Sequence, residues 1–316
     1  MAPPMVSVVL PTYDRPDRLR EAVESVRAQT YPNVELVVVD DHSPTPAETV
    51  LEAIEPGSMT VRVRRHETNR GANKARNTGI DASDGTYLCF LDDDDRWHPK
   101  KVAKQVAAFE RAGDRVGVVY TGTKYVYDSY ERTVTFTLGG DVTEQLCRGR
   151  SIGEFSTLMV DADVIEESGA VDARFPSWQD REWLLRLSTV CEFEPVPEPL
   201  TVRRRLSGEA SITDDFEAKR DVSYPLFLEK HRDLAATYGC ERALVGALSW
   251  NLGTAALKNG YYADARRYLL KSLYYEPLDR SHWLYALVAV GGEYTYGPTS
   301  ALARTFHRLS AAPIEK

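Results

Sequence analysis

Hydrophobic and polar positions alternate on two different periods along the first 120 residues. Short β-branched runs predict strands at Val6–Leu10, Leu36–Val39, Val61–Arg65, Tyr87–Leu91 and Val116–Tyr120. Longer amphipathic segments between them predict helices at Asp17–Gln29, where Leu19, Val23 and Val26 share one side, and at Thr45–Ile54, Gly71–Ala82 and Pro99–Ala112. The last carries proline in its first turn, where the missing N–H costs nothing. The strands are continuous apolar runs, as expected when helices cover both faces of a parallel sheet. Strand–helix alternation of this kind predicts an open α/β sheet, whose ligands sit outside the carboxyl ends of the strands. Three polar clusters fall at those ends: Thr12-Tyr13-Asp14, Asp40-Asp41-His42-Ser43 and Asp92 to Asp95.

After about residue 122 the pattern becomes α+β. Short strands are expected at Tyr125–Tyr127, Thr133–Thr137, Thr157–Val160 and Thr201–Arg204, with a helix at Ser177–Ser188. From about Asp215 the chain reads as nearly all helical. This divides it into domains of residues 1–212 and 213–316, with the linker at Ser207–Asp215. Within the helical part, Leu252-Gly253, Gly260-Tyr261, Ala265, Leu269, Ser272 and Pro277 fall near the positions of one tetratricopeptide repeat. A single unit cannot bury its own apolar face, so it is expected to pack on flanking helices or on the first domain.

Composition narrows the choices. Hydrophobic residues at 43% and charged residues at 27% suit a globular chain. A formal charge of −8 argues against a nucleic-acid surface but leaves room for a nucleotide held by local charge or a metal. Cys89, Cys147, Cys191 and Cys240 lie far apart, with no CxxC pair and no Cys/His cluster at zinc spacing, so reduced thiols are expected. The start, Met1–Leu10, lacks a basic n-region and a cleavage site, and Trp283–Gly292 is too short to span a bilayer. A cytoplasmic location is expected, with any membrane contact peripheral and at the inner face.

Phe90-Leu91-Asp92-Asp93-Asp94-Asp95 is the strongest chemical feature. Four adjacent carboxylates repel one another, and a divalent cation offsets that repulsion. Aspartates two apart on an extended turn can point to the same side, so Asp92 and Asp94 form a candidate DxD pair. A solvated acidic turn is the alternative. The carboxylates at Asp40-Asp41 suit a uracil imide or ribose hydroxyls, although an aspartate after a strand often caps the next helix. His42 is read as a bystander, and Tyr13 as either a stacking residue for a base or a packing residue of the turn. Asn69 to Asn77 sits at a helix start, where Arg70, Lys74 or Arg76 could reach a diphosphate. Trp178-Gln179-Asp180-Arg181-Glu182-Trp183 places a carboxylate between aromatics, which suits a general base or merely an amphipathic helix start.

Taken in order, these stretches resemble the family 2 glycosyltransferases of the GT-A fold. The matching residues are Val6 to Tyr13, Glu35 to Ser43, Asn69 with Gly71 and Ala75-Arg76-Asn77, Phe90 to Asp95 with Trp97 and Pro99, and Gln179-Asp180. The resemblance covers roughly residues 5–212. It implies a Rossmann-like mixed sheet followed by a helical C-terminal region. It implies nucleotide-sugar contacts at Pro11, Tyr13, Asp41, Arg76, Asp92 and Asp93, with Tyr13 and Asp41 on the uracil. It implies Mn2+ or Mg2+ at Asp94, the DxD pair on the ribose and metal-bound diphosphate, and Asp180 as general base of an inverting transfer. The expected partners are a nucleotide-sugar donor and a glycan, lipid-linked or protein-linked acceptor, with no nucleic acid, and the C-terminal helices are a candidate surface for partner proteins. One departure stands out. Family members often carry a His or an aromatic-Arg pair after the base, and Val202 to Gly208 contains no His, leaving Arg204 or Arg205 as its replacement.

Two other readings compete. A nucleotidyltransferase that makes nucleotide sugars commonly has a glycine-rich loop after its first strand, and Pro11-Thr12-Tyr13-Asp14-Arg15 has no glycine. A non-catalytic interaction module would draw on the helical tail alone.

Overall fold

The computed structural model describes residues 2–52, 54, 59–205 and 215–296. The expected linker at Ser207–Asp215 lies, save for its last residue, outside the described residues. The elements in chain order are β1 (Val6–Thr12), α1 (Pro16–Arg27), β2 (Val34–Asp40), α2 (Ala47–Leu51), β3 (Thr60–Arg65), α3 (Ala72–Asp81), β4 (Tyr87–Phe90), β5 (Asp95–Trp97), α4 (Lys101–Arg111), β6 (Val116–Tyr127) and β7 (Glu131–Val134). There follow α5 (Thr143–Cys147), β8 (Leu158–Asp161), α6 (Ala162–Ser168), α7 (Gln179–Leu187), β9 (Glu192–Arg205), α8 (Phe216–Ala218), α9 (Tyr224–Thr237), α10 (Glu241–Lys258), α11 (Tyr262–Tyr275) and α12 (Arg280–Val290).

One mixed sheet runs in the order β3-β2-β1-β4-β8-β6-β9-β5, with β7 added to β6. The expected front half is parallel: β1 pairs with β2 and β4, and β2 with β3. Beyond β4 the direction changes, because β8 runs antiparallel to both β4 and β6, and β5 antiparallel to β9. Alternation along the strands sets the two faces of the sheet. Val6, Val8, Leu10, Leu36 and Val38 join Leu19, Val23 and Val26 of α1 and Val102 and Val106 of α4 in one buried cluster. Val37 and Val39 turn to the other side and bury Ala75 of α3. Here α3 comes close: a Cβ at Gly79 would lie 2.3 Å from Val9 Cγ1.

Two expectations shift, and one strand was not foreseen. Tyr125–Tyr127 is not a separate strand but the end of β6, which continues through Thr121-Gly122-Thr123 with irregular register at Gly122. The strand expected at Thr201–Arg204 is the last part of a 14-residue strand, β9. The short β5 has no apolar run to announce it and exists through its pairing with β9.

The described residues form two compact units. The first holds 2–142, 152–173 and 179–205, hence the whole sheet; the second holds 143–151, 174–178 and 215–296. In the second, α10 packs on α9 and α11, and α11 on α12. A Cβ at Gly253 would lie 2.5 Å from Leu269 Cγ, so glycine lets α10 and α11 approach there. Among the described residues no helix is long and apolar enough to cross a membrane.

Candidate active site

The carboxyl ends of β1, β2 and β4 gather the polar clusters. Pro11 is buried near the end of β1, opposite Val39 of β2. Thr12, the last residue of β1, donates its hydroxyl to Asp93 Oδ2 at 2.8 Å. Tyr13 then turns outward, 47% exposed. Asp14 adopts a left-handed φ of 53°, and its N–H donates to Ser43 Oγ at 3.0 Å. Arg15 returns toward the acidic run, with Nη1 at 3.1 Å from Asp93 and 3.5 Å from Asp94.

The neighbouring aspartates at the end of β2 do different work. Asp40 accepts the N–H groups of Ser43 and Ala47 at 2.7 and 3.0 Å and pairs with Arg65. Burial opposes its charge, but the Ala47 and Ser43 hydrogen bonds and Arg65 hold it below the usual carboxylate range. Asp41 accepts the N–H groups of Arg70 and Gly71 at 2.8 and 2.7 Å and faces His66 Nδ1 at 2.7 Å. It therefore pins the loop that starts α3, where Gly71 has φ 86°. His66 also reaches Thr78 Oγ1 at 2.9 Å. Sequence reasoning missed His66. The register of β2 and β3, Asp40 opposite Arg65, carries the signal, because it sets the next residues side by side.

On α3, Arg76 is buried and Lys74 is exposed, as is Arg70 in the loop before the helix. Arg76 donates to Asp92 Oδ1 at 2.5 Å and to Asn73 Oδ1 at 3.1 Å, and it lies 4.1 Å above the Phe155 ring. Asn77 exchanges two hydrogen bonds with the backbone of Val171, 2.8 and 3.1 Å long, which ties α3 to the segment that leads into α7.

The four consecutive aspartates end in unlike surroundings. Burial works against the charge of Asp92, yet Arg76 and Arg203 hold it ionised below the usual range. Burial raises Asp93 to about 6, with Asp94 and Asp92 adding to the effect and Thr12 and Arg15 opposing it. Burial likewise pushes Asp95 to about 7, against the pull of Arg203 Nε at 3.1 Å. Asp94 is the most open, at 41% side-chain exposure. Oxygens of Asp92, Asp94 and Asp95 lie within 4.8 Å of one another, and Asp95 Oδ2 is buried without a hydrogen-bond partner among the described residues. Three converging carboxylates, one with an orphaned oxygen, are a donor set that fits a hard divalent cation. The backbone here is braced by Ser156, whose hydroxyl accepts from Asp92 N–H at 3.1 Å and whose carbonyl accepts from Trp97 Nε1 at 2.8 Å. Lys101, fully buried beneath the Trp97 ring, donates to Gln105 at 2.6 Å.

Asp180 stands in the first turn of α7 and accepts the N–H of Arg181 at 2.8 Å. Burial raises its pKa; the charge of Asp92 adds to this, while Arg181 and Arg76 oppose it. Asp180 thus shares an electrostatic environment with Asp92 and Arg76. Of the three arginines that close β9, Arg203 turns to Asp95 and Glu154, and Arg204 turns to Glu21 of α1. The roles of Arg15 and Arg203 were not visible in the sequence, because both arise from contacts across long separations.

A mixed sheet of this order, with carboxylates clustered at its strand ends, is the GT-A fold of nucleotide-diphospho-sugar transferases. Residues 7–159 match the family described as Glycosyl transferase family 2. An uncharacterized glycosyltransferase of Haemophilus influenzae is 29% identical over 226 residues, 70% of this chain and 75% of that protein. The putative teichuronic acid biosynthesis glycosyltransferase TuaG of Bacillus subtilis is 37% identical over 103 residues, 33% of this chain and 41% of that protein. Two further relatives are spanned over only 35% and 28% of their length. Among solved structures, S. aureus TarS 1-349 in complex with UDP-GlcNAc superposes with a TM-score of 0.58 at 17% identity, over 86% of this chain and 92% of that one. The mannosyltransferase PcManGT from Pyrobaculum calidifontis, in complex with GDP-Man and Mn2+, gives 0.58 at 17% identity over 91% and 84%. These likenesses establish the shared fold.

Proposed function

We propose that this chain is an inverting hexosyltransferase that moves a sugar from a nucleoside-diphosphate donor, a UDP-sugar, to a hydroxyl of a glycan, lipid-linked or protein-linked acceptor. The observation that carries the reading is the convergence of Asp92, Asp94 and Asp95 with Arg76, Arg203 and the raised carboxyl of Asp180. Tyr13 is assigned to stacking on the uracil and Asp41 to shaping its pocket, with Pro11, Arg76, Asp92 and Asp93 completing the donor site. Asp94 is assigned as the principal metal ligand, beside Asp92 and Asp95. A bound Mn2+ or Mg2+ would offset the charge that builds on the departing nucleoside diphosphate.

Asp180 takes the proton of the acceptor hydroxyl as that oxygen bonds to the anomeric carbon and the bond to the diphosphate oxygen breaks. One displacement inverts the centre. The family match ends at residue 159, so the assignment of the base rests on the resemblance at Gln179-Asp180 and on the electrostatic influence of Asp92 and Arg76 on Asp180. A PcManGT complex that contains GDP-Man and Mn2+ supports a metal-dependent nucleotide-sugar donor. The name of TuaG supports a place in cell-surface glycan assembly. We assign residues 1–212 to catalysis and 213–316 to a tetratricopeptide-like helical extension for partner proteins, working in the cytoplasm with peripheral contact at the inner membrane face.

A donor screen tests this. UDP-, GDP- and dTDP-sugars are each assayed for sugar release and for thermal protection, with and without Mn2+. Protection by a UDP-sugar that requires the metal, and that Asp94→Asn removes, is expected. Pyrophosphate release from a nucleoside triphosphate, with no protection by any nucleotide sugar, would instead make the chain a nucleotidyltransferase.

A further inference from the structure

We infer that the second unit carries a saccharide site of its own, in the cavity walled by Trp250 and Asn251 of α10, Glu276, His282 of α12 and Arg148. The cavity measures about 360 Å3, within the range of small-ligand sites. Every residue that lines it belongs to the second unit, and every residue assigned above to the donor, the metal or the base belongs to the first.

The chain builds this wall from several places. Ala247, Trp250 and Asn251 follow one another at helical spacing and share a side of α10. Glu276 directly follows α11, and His282 stands in the first turn of α12, whose N-cap is Asp279. Arg148 directly follows α5. The aromatic part is fixed in place. The Trp250 ring stacks on the His282 imidazole, with 4.4 Å between centroids and 21° between planes, and meets Tyr285 edge-on at 4.9 Å. Ser272 Oγ in turn holds His282 Nδ1 at 2.9 Å.

Among the described residues, polar groups of this wall have hydrogen-bonding capacity left over. His282 engages one ring nitrogen and leaves Nε2. Asn251 donates Nδ2 to the Ala247 carbonyl at 2.8 Å, while its Oδ1 accepts nothing. Arg148 reaches Glu144 through Nε, at 2.9 Å, and keeps its Nη groups. The charge of Glu276 acts on Arg148 without forming an ion pair. None of these atoms is sealed from solvent. The cavity thus offers donors and acceptors beside a rigid aromatic wall. A sugar hydroxyl is both donor and acceptor, and the apolar C–H face of a sugar ring packs on an aromatic side chain. Other ligands fit less well. A phosphate would meet the carboxylates of Glu276 and Asp279 against one guanidinium that already serves Glu144. An apolar ligand would strip water from the polar groups without replacing its hydrogen bonds. A divalent cation needs converging carboxylates, which among the described residues occur at Asp92, Asp94 and Asp95 instead. That the saccharide is the acceptor rests on the proposed transferase function; that the cavity binds it does not.

The test uses the full chain and a microarray of bacterial surface oligosaccharides, with the strongest binder then titrated by calorimetry. Neutral oligosaccharides are expected to bind, with or without UDP and Mn2+. The double variant Asn251→Ala, Glu276→Gln is expected to weaken the binder about tenfold, the scale of a lost hydrogen bond to a charged group. Thermal protection by UDP and Mn2+ stays unchanged in the variant. Should the double variant lose helix by circular dichroism, Glu276→Gln alone gives the reading. An array without a binder overturns the proposal, as does equal affinity in the unaltered chain and the variant. Competition by UDP also overturns it, because the saccharide would then occupy the donor site, and so does a preference for phosphate-bearing over neutral oligosaccharides. Binding of a lysine-rich peptide in place of any saccharide, lost in the variant, would make the cavity a peptide site. Saccharide binding that responds to the variant while UDP fails to bind at all would retain this inference and sink the proposed function.

Discussion

Neighbouring aspartates that read alike in sequence differ in charge once the chain is folded. Asp93 at about 6 and Asp95 at about 7 both lie above an ordinary aspartate, chiefly because burial disfavours the ion. For a raised carboxyl the stabilising contribution is complete below the unfolded pKa near 3.8 and is lost as pH rises through the folded value. The metal-free protein should therefore lose stability on this account between about pH 4 and 7. A cation competes with those protons, so Mn2+ should raise the melting temperature more at pH 8 than at pH 5.5. Differential scanning fluorimetry at the two pH values checks this, and a shift that is equal or smaller at pH 8 would refute the metal assignment. Asp180 makes a separate prediction. Asp180→Asn should lower kcat by about 10²- to 10⁴-fold, the usual scale for a general base, with UDP affinity unchanged. A comparable loss of UDP affinity would show that Asp180 serves binding instead.

Helix α3 is the element that joins fold to site: it carries Arg76 and Asn77 on a helix pressed against β1. The stiff β-branched Val9 stands 2.3 Å from any Cβ at Gly79 and cannot yield by rotating a flexible tail. Gly79→Ala should cost about 1–3 kcal/mol, the scale of overpacking, read as a lower urea midpoint with an unchanged slope. This part of the fold was legible because β1 to β4 are continuous apolar runs separated by amphipathic spacing. Later elements were not. The apolar run of β6 breaks at Thr121-Gly122-Thr123, where a bulge lets the strand continue. In β9, Pro195, Pro197 and Pro199 disguise a strand, and β5 depends on a partner more than a hundred residues away. The candidate site divides in the same way. The acidic run and Asp180 stand out locally, whereas His66, Arg15 and Arg203 acquire meaning only through partners that the register brings beside them.

Over the whole molecule, the two units are interleaved along the chain. Residues 143–151 and 174–178 belong to the helical unit although they precede the end of the sheet. Phe175 and Trp178 stack edge-on against Phe227 of α9, at 6.2 and 6.4 Å, and Gly149 abuts Ala247 of α10. Phe227 is 1% exposed, so Phe227→Ala should cost about 3–5 kcal/mol in equilibrium unfolding. A chain cut after residue 212 should bind a hydrophobic dye and aggregate, because Phe175 and Trp178 lose their partner. A cooperative, soluble 1–212 fragment that binds UDP as the full chain does would contradict this.

The same interleaving has a consequence during synthesis. Phe175 leaves the ribosome 52 residues before Phe227, so at ordinary elongation rates its ring waits about 3–10 s for the helix that will cover it. Throughout that interval the nascent polypeptide presents two aromatic side chains with nowhere to go, a natural opening for a chaperone, and a pause before codon 227 would prolong it.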